Sequence, residues 1–235
     1  GEVLFYNKTM LDELGLLPPT TWSEVESVSK AIYKKYGVPG FGTDSIIDTY
    51  QTLIMQAGSS YIDVDTKTMA IDRKIGIEKL NWFAKGVKEG YFRLVGEDHY
   101  FSNPFGSQAV GMYIGSSAGI DYVYAAIPAK GEAGYFEVGA VAVPQEGPVK
   151  YISNWSHGDV CLSKDKEHAR GVYEFEKFYI STPVSVEWAK ALGSALVYKD
   201  AIEDPEFVEF ASSNIALKAL TEGLQYVRFL PSIYG

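Results

Sequence analysis

Leu16-Leu17-Pro18-Pro19-Thr20-Thr21-Trp22-Ser23-Glu24 is the stretch on which the reading of this chain turns. Two consecutive prolines cannot sit inside a helix, and they hold the backbone extended up to a run of hydroxyl residues. Thr21 is then the predicted N-cap, and Glu24, three residues on, completes a capping box. Val25, Val28, Ala31 and Ile32 follow at helical spacing, so a helix is expected to run to Tyr36 and stop at Gly37. Capped helices of this kind open in every fold class, so the start alone carries no function.

Working outward, Glu2 to Tyr6 reads as a strand. Lys8 to Leu14 reads as a short helix ended by Gly15. The compound order is more specific than any of its parts: Phe5-Tyr6-Asn7-Lys8, then Leu11-Asp12-Glu13-Leu14-Gly15-Leu16, then Pro-Pro-x-Thr-Trp-x-Glu. It resembles the start of the second lobe of the extracellular solute-binding proteins of ABC importers, the class that contains the maltose- and glycerol phosphate-binding proteins.

The composition is compatible with that resemblance. Of 235 residues, 46% are hydrophobic, enough for a globular core. A net charge of −9 disfavours nucleic acid as a partner, because phosphate binding needs a basic face. The lone cysteine, Cys161, excludes an internal disulfide framework and a cysteine-based zinc site, and is expected to be a buried small hydrophobe in an apolar strand. No apolar run reaches the ~20 residues that cross a bilayer, and no signal segment opens the chain. Aromatic residues make up 14%, with 17 tyrosines, which suits rings laid against sugars and equally suits a packed core.

Further along, Phe41-Gly42-Thr43 reads as a short strand, with Asp44 or Ser45 capping a helix through Tyr50 and Ile54. Tyr61 to Ile71 reads as a hairpin turning near Asp65-Thr66-Lys67, and Asp72 opens a helix ended by Gly90. Strands are expected at Ala109 to Ile114, Ala125 to Ala129, Gly139 to Val143 and Val160 to Ser163. Such α and β alternation predicts an α/β layer with largely parallel strands. A helix follows with Ala169, Val172, Tyr173, Phe175 and Phe178 facing inward, then one from Pro183 to Leu192, and a last one from Phe207 to Leu220 with a break at Ser212-Ser213-Asn214.

The search for chemistry is mostly negative. His99, His157 and His168 have no metal-ligand spacing. Asp63-Val64-Asp65 starts like a calcium loop, but Thr68 and Lys74 stand where such a loop needs glycine and glutamate, so a hairpin turn is expected. Gly115-Ser116-Ser117-Ala118-Gly119 matches a nucleophile elbow literally, making a serine hydrolase through Ser117 the alternative function. Only His157 and His168 follow it as candidate bases. The competing reading of the turn is backbone N–H groups and small hydroxyls that bind an oxygen-rich ligand.

The resemblance continues through Gly111-Met112-Tyr113-Ile114-Gly115-Ser116-Ser117, which looks like the family's strand and turn at the cleft. Many sugar-binding relatives carry a tryptophan near the position of Ala118, and aromatic rings near Asp44, so any stacking here must come from elsewhere. Ile152-Ser153-Asn154-Trp155-Ser156-His157-Gly158 corresponds to the turn before the return to the first lobe. Ser163-Lys164-Asp165-Lys166-Glu167-His168-Ala169, Ser181-Thr182-Pro183 and Glu187-Trp188-Ala189 are similar to the helices that follow. Glu222-Gly223-Leu224 with Leu230-Pro231 resembles a late cleft-lining segment. Where glycerol phosphate-binding relatives have an arginine, Tyr234 stands instead.

The resemblance implies an α/β, periplasmic-binding-protein-like type II fold, present as one lobe plus part of the other. Residues 1–146 would form the second lobe, 147–200 the returning segment of the first, and 201–235 a hinge-side helix and cleft-lining segment. It further implies a non-enzymatic, extracytoplasmic protein without cofactor or metal, periplasmic or a surface lipoprotein. The implied partners are a carbohydrate or polyol, with or without a phosphate, and the membrane subunits of an ABC permease. The expected ligand contacts are Asp44, Ser116, Ser117, Trp155, His157 and Tyr234, with Asp44 accepting from hydroxyls and Trp155 and Tyr234 stacking.

Overall fold

The computed structural model describes residues 1–154, 160–196 and 198–229. The chain opens with strand β1 (Glu2–Asn7) and helices α1 (Lys8–Leu14) and α2 (Trp22–Tyr36). Next come β2 (Phe41–Thr43), α3 (Ile46–Gln56), the small hairpin β3 (Ile62–Asp63) and β4 (Thr68–Met69), and α4 (Arg73–Glu89). After α5 (Ser102–Gly106), β5 (Met112–Ser116), α6 (Ile120–Ala126) and β6 (Val138–Ala142), the chain runs into β7 (Ile152–Asn154). Helices α7 (Lys166–Tyr179), α8 (Thr182–Leu192), α9 (Lys199–Ile202), α10 (Pro205–Ser213) and α11 (Ile215–Gly223) follow, before β8 (Val227–Phe229).

The capping box at the head of α2 forms as the sequence predicts. Thr21 Oγ1 accepts from the Glu24 amide at 3.2 Å, and Glu24 Oε2 accepts from the Thr21 amide at 3.1 Å. Gly15 and Gly37 end α1 and α2 in the left-handed conformation. A further tie was not legible locally: Glu146, just past β6, accepts from the Ser23 amide at 2.7 Å and from its hydroxyl at 2.6 Å. Trp22 is buried, and its Nε1 donates to Gln56 Oε1 at 2.9 Å.

The main sheet has the order β2-β5-β1-β6. Strand β1 is antiparallel to both neighbours, with Leu4 opposite Ile114 and Val141, and only β2 and β5 are parallel. The expectation of largely parallel strands is therefore corrected. A sheet covered on both faces gives continuous apolar runs whatever its strand direction, so sequence does not encode direction here. The faces follow the period of two along β1. Leu4 points into a core with Trp22, Val25, Ile32, Phe41, Phe83 and Phe92. Val3 and Phe5 point into the opposite core with Phe101, Phe105, Tyr113, Leu217 and Leu220. Helices thus cover both faces, the α/β architecture expected.

Other local expectations met mixed outcomes. The Asp63 turn is an Asx turn, its Oδ1 accepting from the amides of Asp65 at 2.9 Å and Thr66 at 3.0 Å. Asn214 separates α10 from α11 and caps the latter. Residues 125–129 are not a strand, because Ala125 and Ala126 complete α6, whose Ile120 and Val123 are buried. Residues 160–163 pair with no strand among the described residues, so Cys161 is exposed rather than buried. The face of α7 read as inward is open: Tyr173, Phe175 and Phe178 are 61%, 59% and 61% exposed. Ala169 and Val172 of the expected set are half-buried, Phe175 and Phe178 continue their side of the helix uncovered among the described residues, and Tyr173, two residues from Phe175, stands on another side.

Candidate functional site

The site lies at one edge of the main sheet. Because β2 and β5 are parallel, with Thr43 opposite Ile114, their C-terminal ends emerge together. The residues that leave those ends are Asp44 on β2 and Ser116 on β5, a location where open α/β sheets hold ligands. Ser45 caps α3, its Oγ accepting from the Asp48 amide at 3.2 Å, which turns the chain away and leaves Asp44 in the crook. The Asp44 amide donates to the Ile114 carbonyl at 2.9 Å, and its Oδ1 accepts from the Phe101 amide at 2.7 Å.

Gly115 makes room for this carboxylate. A Cβ there would collide with Asp44 Oδ2 and lie 2.7 Å from Tyr113 Cε2. The Asp44 side chain is held well inside the fold, and burial raises its pKa to about 6, against the lowering pull of the Phe101 amide. Burial and the neighbouring Asp44 charge also raise the Tyr113 phenol. Glu2, opposite Ser116 in the sheet, is raised to about 8, first by burial and then by the Asp48 charge, and its Oε2 is buried without a partner.

A cleft of about 440 Å³ is lined by Asp44, Tyr100, Ser102, Tyr113, Ser116 and the turn and helix that carry Ala118 and Tyr122. Tyr100 and Tyr122 are 66% and 73% exposed and flank it. The chain before Tyr100 is firmly anchored. Arg93 pairs with Asp98, its guanidinium lies 5.8 Å from the Phe101 ring, and Phe101 is fully buried. Between these anchors His99 takes a positive φ of 62°, uncommon for a non-glycine residue, and the next ring stands out of the core.

The structure thus brings two predicted residues, Asp44 and Ser116, into one cleft. Ser117 is adjacent but only 2% exposed, so it is not presented as a nucleophile elbow requires. The described downstream histidine, His168, lies on the exposed first turn of α7, bonded to Asp165. Nothing favours the hydrolase alternative. Trp155, His157 and Tyr234 lie outside the described residues. The sequence reading missed Tyr100, Ser102 and Tyr122 as cleft residues, and the two tyrosines supply the rings that the positions of Asp44 and Ala118 lack. The signal was the aromatic passage after Gly90, whose spacing shows no period from which to tell core rings from cleft rings. No cluster of histidine, cysteine or carboxylate residues able to hold a metal occurs among the described residues.

Comparison with known proteins agrees with the fold. No curated protein matches the chain. Among solved structures, the cyclic alpha-maltosyl-1,6-maltose binding protein from Arthrobacter globiformis is 19% identical with a TM-score of 0.75, over 99% of this chain and 60% of that one. UgpB from Mycobacterium tuberculosis, solved in complex with glycerophosphocholine, is 18% identical with a TM-score of 0.78, over 98% and 58%. The GacH receptor of Streptomyces glaucescens, solved unliganded and with acarbose, is 20% identical with a TM-score of 0.77, over 99% and 58%. At such identities the likeness establishes the type II binding-protein fold, and the chain spans 58–60% of the length of these proteins. The profile of the bacterial extracellular solute-binding proteins matches residues 1–218. On that match, and with the fold in agreement, the chain belongs to the bacterial extracellular solute-binding protein family.

Proposed function

We propose that this chain is part of a capture protein of an ABC importer, which closes two lobes on a carbohydrate or polyol and presents it to a membrane permease. The observation that carries the reading is the cleft at the paired ends of β2 and β5. It combines a held carboxylate, Asp44, the hydroxyls of Ser102 and Ser116, and the exposed rings of Tyr100 and Tyr122. Carboxylate and hydroxyl groups bind sugar hydroxyls, and rings bind the apolar faces between them. The solved relatives named above include proteins whose partners are a cyclic maltosyl-maltose and acarbose, which supports a hydroxyl-rich solute. Ser117 presents little surface, so the hydroxyl contact assigned to this turn is Ser116.

The lobe division is part of the proposal: 1–146 in the second lobe, 147–200 returning through the first, and 201–235 on the hinge side. Two features support it. Strands β7 and β8 run parallel, Ile152 opposite Val227, as two passages of the chain set side by side. The open aromatic face of α7 has the character of a surface that a first lobe would cover. Capture and hinge closure outside the cytoplasm, in the periplasm or as a surface lipoprotein, complete the reading. A thermal-shift panel of the full-length protein against monosaccharides, oligosaccharides, polyols and polyol phosphates tests it. A rise of several degrees with a sugar or polyol is expected. No rise with any member would refute it.

A further inference from the structure

The segment that carries Tyr100 to the cleft is fixed at both ends and strained between them. At one end the Arg93 amide donates to the Phe41 carbonyl of β2 at 2.9 Å. At the other, the buried Phe101 ring stacks on Tyr113 at 5.8 Å and lies over the bare backbone of Gly42, where a Cβ would come within 2.2 Å of Phe101 Cζ. The Phe101 amide donates to Asp44 Oδ1 at 2.7 Å. The Arg93 side chain reaches across the segment to Asp98 and clips it two residues before the exposed ring. His99 then has φ 62° and ψ −40°, and the Tyr100 amide donates to the Asp98 carbonyl at 2.7 Å across it. This is the positive-φ form of the γ-turn, rare and strained.

Strained backbone persists only where its surroundings over-determine it, and it gathers at ligand clamps. Core packing does not account for this turn, because the side chains of His99 and Tyr100 are both exposed. Its effect is to set the Tyr100 ring in the lining of the cleft with Asp44 and Ser116. Among the described residues, that lining includes neither Arg93 nor His99. We infer that Arg93 and His99 are positioning residues for solute capture, Arg93 by clipping the segment to Asp98 and His99 by keeping the γ-turn, so that the Tyr100 ring stands in place before a solute arrives. A ring set in advance loses less freedom on binding than one on a slack loop, and the difference appears as affinity. The assignment rests on the reading of this cleft as the capture site.

The test is isothermal calorimetry on the full-length protein, with a melting curve on every variant. The probes are glucose, galactose, mannose, maltose, maltotriose, ribitol and glycerol phosphate, and the tightest is carried through the variants. His99→Gly, at ease at positive φ, is expected to bind within about two-fold of the parent. His99→Val, whose branched Cβ disfavours that φ, should bind roughly five-fold more weakly. Arg93→Met keeps an apolar stem against Phe101 but loses the clip, and should also bind about five-fold more weakly, with Arg93→Lys recovering most of that loss. Melting temperatures should stay within about 4 °C of the parent. Beside Tyr100→Ala, Arg93→Met should change affinity less than about 1.5-fold, because the ring it positions is gone. His99→Gly and His99→Val binding alike, Arg93→Met binding like the parent, or an Arg93→Met loss that persists in full beside Tyr100→Ala would overturn the assignment and leave the capture-site reading standing. No binding by any probe would instead sink that reading, and the assignment with it.

Discussion

Asp44 is where sequence, packing and chemistry meet most closely. It follows β2, it accepts from the Phe101 amide, and it lies against the bare backbone of Gly115. Its raised pKa makes a signed prediction. Between the ordinary aspartate value near 4 and the folded value of about 6, the native state holds the proton more tightly than the unfolded chain. The stability contributed by that proton is fully present below this window and is lost as pH rises through it. In Asp44→Asn, the melting temperature should therefore fall less between pH 4 and pH 6 than in the parent, and equal slopes would contradict the assignment. Gly115→Ala should displace the Asp44 carboxylate and the Tyr113 ring together and weaken solute binding by about ten-fold in a calorimetric titration. Asp44 and Ser116 were readable because each sits directly beyond a recognisable strand. Tyr100 was not, because its exposure comes from the anchoring of Arg93 and Phe101 and the positive φ of His99, none of which leaves a periodic trace in sequence.

At the scale of elements, the head of α2 shows how a local signal becomes a tertiary one. The capping box is written in Thr21 and Glu24, and loss of the cap in Thr21→Ala should cost about 1 kcal/mol in denaturant unfolding. What the sequence does not show is the use to which this start is put. Gln56, at the end of α3, accepts from Trp22 Nε1 and from the Glu146 amide, both at 2.9 Å, and donates to the carbonyls of Pro144 at 3.0 Å and Tyr151 at 2.8 Å. One buried amide thus joins α2, α3 and the exit from β6 toward β7. Gln56→Leu preserves volume but orphans those partners, and should destabilise by roughly 3 kcal/mol. A loss below 1 kcal/mol would show that the junction is held by packing alone. Helix starts and stops were legible because caps and glycines act over a few residues. Strand direction, and the fate of residues 125–129 and 160–163, depend on partners far away in the chain, and local alternation does not choose among them.

At the scale of the molecule, the open aromatic face of α7 separates a helix pattern from its burial. Phe175 and Phe178, three residues apart, lie on one side of α7 as core-facing residues should, yet both are exposed. If the lobe division is right, the full-length protein covers this face, and Phe175→Ser should cost about 1–2 kcal/mol there, whereas an exposed position costs less than about 0.5 kcal/mol. The central claim is that the cleft at the ends of β2 and β5, walled by Tyr100 and Tyr122, is where a sugar or polyol is captured. Hydrogen exchange on the full-length protein, with and without the best solute of the thermal-shift panel, tests it most directly. Slowed exchange is expected in the peptides that contain Tyr100 and Ser116 to Tyr122. Solute-dependent protection confined to other parts of the chain would contradict it.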